Sequence, residues 1–184
     1  MPISRRHFLA LGACLATALP TRAIANVQAG ARPKVVIVGA GYGGSATALY
    51  LKRWAPQADV TVVEPNARFI SCPMSNTVIG GMNRLEDITF PYDYVRKAVD
   101  RFIQDTVTAI DPARRIVTTA KGATLPYDRL ILSPGVELLF DRIEGYDAEA
   151  RKRVKHAWKA GPDQTTALRR QLEAMPDGGV FVMS

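Results

Sequence analysis

The sequence predicts an α/β fold built on a buried parallel sheet, and three observations predict it. The apolar, β-branched run Lys34-Val35-Val36-Ile37-Val38 has the composition of a strand covered on both faces. It passes directly into Gly39-Ala40-Gly41-Tyr42-Gly43-Gly44, and then into an Ala/Leu-rich segment, Ser45 to Trp54, that reads as a helix stopped before Pro56. A second β-branched run, Asp59-Val60-Thr61-Val62-Val63, follows and delivers the acid Glu64.

Each part of this array has a physical reason. Gly39 permits the tight turn out of the first strand, and Gly41 lets backbone approach a pyrophosphate. Gly44 lets helix and strand pack closely, and Ala40 and Gly43 complete the candidate cofactor-binding loop. Free N–H groups and the positive end of the helix dipole suit phosphate charge. Glu64 is placed to accept hydrogen bonds from ribose hydroxyls and would repel a 2′-phosphate, which disfavours NADP. The array predicts a Rossmann-like dinucleotide site but does not by itself separate FAD from NAD.

Further along, Phe102 to Ile110 and Arg114 to Thr119 alternate as strands do, predicting a small β-meander. Leu125 to Leu132 reads as a strand leading into Ser133-Pro134-Gly135. Asp163 to Met175 reads as an amphipathic helix, Pro176 to Gly179 as a turn, and Val180 to Met183 as a further strand.

The 184-residue chain carries a formal net charge of +7. Arg5, Arg6 and Arg22 lie before residue 26, where there is no acid, which leaves 21 basic against 17 acidic residues beyond. That balance, without a Lys/Arg block or interleaved aromatics, argues against nucleic-acid binding. Residues 1–25 combine a charged start, an apolar run over Leu9–Leu19 and Ala23-Ile24-Ala25, the pattern of a cleavable export signal. The run is short of the ~20 residues that span a bilayer, so no stable membrane anchor is expected. Ser4-Arg5-Arg6-His7-Phe8-Leu9 resembles a twin-arginine signal, which carries folded proteins and suits one loaded with its dinucleotide before export. A periplasmic address follows. The two cysteines, Cys14 and Cys72, make no metal motif, and no metal site is expected. His156 is the one histidine beyond residue 25 and reads as structural rather than catalytic.

The stretch Leu125-Pro126-Tyr127-Asp128-Arg129-Leu130-Ile131-Leu132-Ser133-Pro134-Gly135 resembles the second motif of the pyridine-nucleotide-disulfide oxidoreductase superfamily. The resemblance implies that the GxGxxG binds FAD, that Ser133 and Gly135 lie near it, and that the backbone of Val107 holds the adenine. Five stretches bring the chain close to the flavoprotein subunits of flavocytochrome c sulfide dehydrogenases. They are Glu64-Pro65-Asn66, Cys72-Pro73-Met74-Ser75-Asn76 with Ile79-Gly80-Gly81, Tyr127-Asp128-Arg129, Ile143-Glu144-Gly145-Tyr146 and His156-Ala157-Trp158-Lys159-Ala160-Gly161. That resemblance implies a disulfide-reductase-type FAD domain and a thioether between Cys72 and the 8α-methyl of the flavin. It also implies sulfide as substrate and a c-type cytochrome subunit with haem c as electron acceptor.

The expected organisation is a signal over 1–25, an FAD-binding domain over 26–175, and the first strand of a second domain over 176–184. The redox cysteine pair that meets sulfide is expected beyond Ser184, so no catalytic residue is expected in this stretch, which is expected to be inactive alone. A sulfide:quinone oxidoreductase-like enzyme and a non-catalytic FAD-binding remnant are the alternatives.

Overall fold

The computed structural model describes residues 31–182; the signal expected over 1–25 lies outside them. Four strands, β1 (Lys34–Val38), β2 (Asp59–Val63), β5 (Arg101–Ile103) and β9 (Arg129–Leu132), form one parallel sheet in the order β5-β2-β1-β9. Parallel strands need cover on both faces, and they have it. Val35, Ile37, Val60 and Val62 point to one side, where they meet Ala48 of helix α1 (Tyr42–Trp54) and Val95 of α3 (Asp93–Ala98). Val36 and Val63 point to the other side and pack on Val117 and Leu125. Those two belong to an antiparallel meander of β6 (Val107–Asp111), β7 (Ile116–Thr119) and β8 (Thr124–Pro126). A two-stranded ribbon, β3 (Arg68–Ile70) with β4 (Thr89–Pro91), and the short helix α2 (Ser75–Ile79) complete this part. The helices α4 (Ala148–Arg153) and α5 (Ala167–Glu173) follow. This is the Rossmann-like α/β fold with a β-meander that the sequence predicts.

Five boundaries differ from the sequence reading. Helix α1 begins at Tyr42 rather than Ser45, because the amide of Ser45 donates to the Gly41 carbonyl at 2.9 Å and its hydroxyl to that of Ala40 at 2.6 Å. The single strand expected over 102–110 is two strands in different sheets. Asp105 breaks it, its carboxylate accepting from the amides of Thr106 (2.8 Å) and Lys121 (3.1 Å). The run 125–132 is likewise divided at Tyr127 and Asp128. The Asp128 carboxylate accepts from the Lys34 amide at 2.7 Å, and its own amide donates to the Lys34 carbonyl at 2.8 Å. The helix expected over 163–175 opens as a wide π turn over Pro162–Thr166, with the Thr165 hydroxyl accepting from the Gly161 amide, and is α-helical only over Ala167–Glu173. The strand expected from Val180 does not form over 180–182: these residues pair with no strand among the described residues, and Val180 is 86% exposed. Among the described residues no helix is long and apolar enough to cross a membrane.

Candidate functional site

The carboxyl ends of β1, β2 and β9 face a groove of about 540 Å³. The crevice at strand carboxyl ends is where open α/β sheets bind ligands. The groove is lined by Gly39, Gly41, Glu64, Cys72, Val107, Ser133 and Gly135, seven of the ten residues predicted from sequence. Ala40, Gly43 and Gly44 do not line it.

The turn out of β1 is sterically determined. Gly39 has φ +90°, and a Cβ there would stand 2.1 Å from the Ser133 carbonyl oxygen. A Cβ on Gly44 would stand 1.9 Å from the Gly39 carbonyl oxygen, and one on Gly43 2.8 Å from the Ser133 hydroxyl. Gly41 is different, since a Cβ there would meet nothing within 4 Å. The space above Gly41 is open. The amides of Gly41, Tyr42 and Gly43 have no hydrogen-bond partner among the described residues. The first turn of α1 also carries no acidic residue and no side-chain cap. Orphan amides at a helix start with open space in front of them fit a pyrophosphate.

Glu64 leaves β2 and is 95% buried. One carboxylate oxygen accepts from the Ala40 amide at 2.8 Å, and the other from the amide (2.9 Å) and side-chain nitrogen (2.6 Å) of Asn66. The acid thus fixes both the glycine loop and the turn after β2, and one acceptor site on the oxygen that meets Ala40 is left over. Burial, and then the charge of Glu64, push the buried Tyr92 phenol up to about 12, so it stays neutral. Asn66, Tyr92 and Asp105 are site residues that sequence reasoning did not select. Asn66 alone had a local clue, standing two positions after the acid.

At the other end Cys72 begins a short turn opened by Pro73. Its thiol is exposed and donates to the Trp158 carbonyl. The Ser75 hydroxyl closes the turn on the Cys72 carbonyl at 2.7 Å. Trp158, Lys159 and Ala160 form the wall there, which gives the His-Ala-Trp-Lys-Ala-Gly stretch a place in the groove. His156 does not reach the groove. Its ring stacks on Phe140 with centroids 5.3 Å apart, and burial and then the cations Lys159, Arg151 and Lys155 hold its pKa below the usual value.

The residues present can hold an extended dinucleotide with its phosphates on the α1 amides. Among the described residues no group of histidines, cysteines and carboxylates could hold a metal ion. Comparison with known proteins agrees with this geometry. The profile of the pyridine nucleotide-disulphide oxidoreductase family matches residues 33–174. The mitochondrial sulfide:quinone oxidoreductase of Dictyostelium discoideum is 34% identical over 114 residues, 61% of this chain and 25% of that protein. The sulfide dehydrogenase (flavocytochrome c) flavoprotein chain of Chlorobaculum thiosulfatiphilum is 51% identical over 45 residues, 24% of this chain and 94% of that sequence. The solved sulfide:quinone oxidoreductase of Aquifex aeolicus superposes with a TM-score of 0.66 at 26% identity, over 78% of this chain and 32% of that one. The chain thus spans about a quarter of the length of the quinone-reducing relatives it matches.

Proposed function

The chain belongs to the pyridine nucleotide-disulphide oxidoreductase family, and on that premise we propose that it is the FAD-binding part of a sulfide-oxidising flavoprotein. Within that class we assign it to the flavoprotein subunits of flavocytochrome c, working in the periplasm after twin-arginine export and delivering electrons to a c-type cytochrome. The observation that carries the reading is one continuous groove that reaches Gly41 at the unpartnered amide end of α1 and has an exposed cysteine in its wall.

The amides of Gly41 to Gly43 would hold the FAD pyrophosphate, and Glu64 the adenosine ribose. The backbone at Val107 would meet the adenine. Ser133 and Gly135 would border the flavin side, and Cys72 would tie the flavin by a thioether. When bound, the flavin supplies a two-electron acceptor that can release electrons singly. Trp158, Lys159 and Ala160 would border the flavin at the Cys72 end.

The finer assignment is supported by the 51% identity to a sulfide dehydrogenase flavoprotein chain and by the Cys72-Pro73-Met74-Ser75-Asn76 stretch. The longer match to sulfide:quinone oxidoreductases supports the alternative of a quinone acceptor. Full-length protein decides between them. Sulfide-dependent reduction of cytochrome c, with flavin that stays on the acid-denatured polypeptide, is expected. Reduction of a soluble quinone in place of cytochrome c would assign the alternative. Purified folded protein that carries neither flavin nor adenine nucleotide would remove both.

A further inference from the structure

A second cavity of about 630 Å³ shares only Lys159 with the dinucleotide groove. Three chain segments converge on it. Helix α4 is capped by Asp147, whose carboxylate accepts from the Ala150 amide at 2.8 Å, and it presents Arg151 and Lys152. The connector contributes Lys155, His156 and Lys159, held by the His156 amide donating to the Gln164 side chain at 3.1 Å. Helix α5 contributes Arg170. Phe140 lies beneath, with the Arg151 guanidinium 4.7 Å above its ring.

Charge is unbalanced there. Lys152 pairs with Glu149 at 2.6 Å, but Arg151, Lys155, Lys159 and Arg170 have no carboxylate within ion-pair distance among the described residues. Asp163 is the single acid in the wall. From 148 to 170 the sequence places seven Lys and Arg against two acids. The Arg151 Nε–H and the His156 Nδ1 are buried without partners. Like charges gathered in a concavity raise the local potential and attract counter-ions. Their convergence from three segments on one shallow concavity lets a small anion meet several cations at once, which a flat face of an acidic protein would not.

We propose that this cavity is a binding site for a small divalent inorganic anion. It lies beside the dinucleotide groove, joined to it through Lys159, and is separate from the FAD site. The anion would sit among Arg151, Lys155, Lys159 and Arg170. Thiosulfate and phosphate present the same chemistry and are the two sources to be told apart.

The test is calorimetric titration of full-length protein with sodium thiosulfate and, separately, with sodium phosphate, at low ionic strength. Dissociation constants of roughly millimolar or tighter are expected. Lys155→Gln with Arg170→Gln, which leaves Lys159 and the groove intact, is expected to weaken binding about tenfold or more. Arg170→Glu, at an exposed position, is the single-site check if the double variant folds poorly. NMR titration of His156 gives a second readout: bound anion offsets the neighbouring cations, so its pKa rises. Preference for thiosulfate would identify a sulfur-anion site, and equal affinities a general oxyanion site. No binding of either anion, or binding that ignores the substitutions, would overturn the proposal. Binding of an acidic protein in place of both anions would overturn it as well. Flavin content of the same samples reports separately on the FAD reading.

Discussion

Two glycines three positions apart in the first loop should respond oppositely to the same methyl group. At Gly41 the backbone has φ −65° and ψ −164°, open to any residue, and an added Cβ meets nothing within 4 Å. Alanine there restricts the unfolded chain, a gain of about 0.4–1 kcal/mol. As a helix N-cap it is poorer than glycine by roughly a similar amount. The apoprotein of Gly41→Ala should therefore keep its stability within about 0.5 kcal/mol. Its methyl instead occupies the space in front of the α1 amides. Overpacking of one methyl costs about 1–3 kcal/mol, a roughly 5- to 150-fold loss of FAD affinity. At Gly44 the methyl would stand 1.9 Å from the Gly39 carbonyl oxygen, so backbone must move. The cost lies near the top of that range, against about 1 kcal/mol gained in helix propensity, a net loss of about 2 kcal/mol. Both are best measured in flavin-free, full-length Cys72→Ala protein, where FAD affinity is an equilibrium quantity read by flavin fluorescence and stability by denaturant unfolding. Undiminished FAD binding by Gly41→Ala, or undiminished stability of Gly44→Ala, would refute the steric reasoning.

Three further outcomes are expected. Glu64→Gln turns an amide NH₂ toward either the Ala40 amide or the Asn66 donors, and should cost about 1.5–3 kcal/mol in unfolding free energy together with FAD affinity. Cys72→Ala should fold normally and release its flavin into the supernatant on acid precipitation, whereas the parent should keep yellow colour in the pellet. Asp100 accepts from Lys52 (2.9 Å), from Arg32 and from the Val60 amide (2.9 Å). Burial alone would raise its pKa, but these donors outweigh it and hold the carboxyl well below the usual range. With the folded value below the unfolded one, this stabilisation is complete above about pH 4 and fades as acid titrates the folded carboxylate. Asp100→Asn should accordingly unfold about 2 kcal/mol more easily at pH 7, with the gap narrowing below pH 4 in urea titrations.

The parts of the molecule visible in the sequence are those whose cause is local. The β1 strand, the glycine loop and the acid after β2 follow from β-branched runs, a missing Cβ and chain order, and Gly39, Gly41 and Glu64 all line the groove. The breaks at Asp105 and Asp128 were not visible, because each depends on carboxylate acceptance from an amide on another element. Periodicity reads through such a break, since the side chains on either side still alternate. Cys72 and Trp158 were each picked out by resemblance. Their contact could not be, because it joins residues 86 positions apart through a backbone carbonyl that has no trace in residue type. The opening π turn of α5 escaped for a related reason, being selected by a hydroxyl-to-amide bond rather than by the apolar pattern.

The absent Cβ of Gly39 ties together two stretches that stand far apart in the chain. Since the Ser133 carbonyl occupies the volume a side chain would need, β9 can lie beside β1 only while position 39 stays bare. Any replacement at 39 must push the Ser133-Pro134-Gly135 corner outward, and so deform the wall of the groove that this corner forms. Damage at the start of the fold would then surface at a corner 94 positions further along the chain.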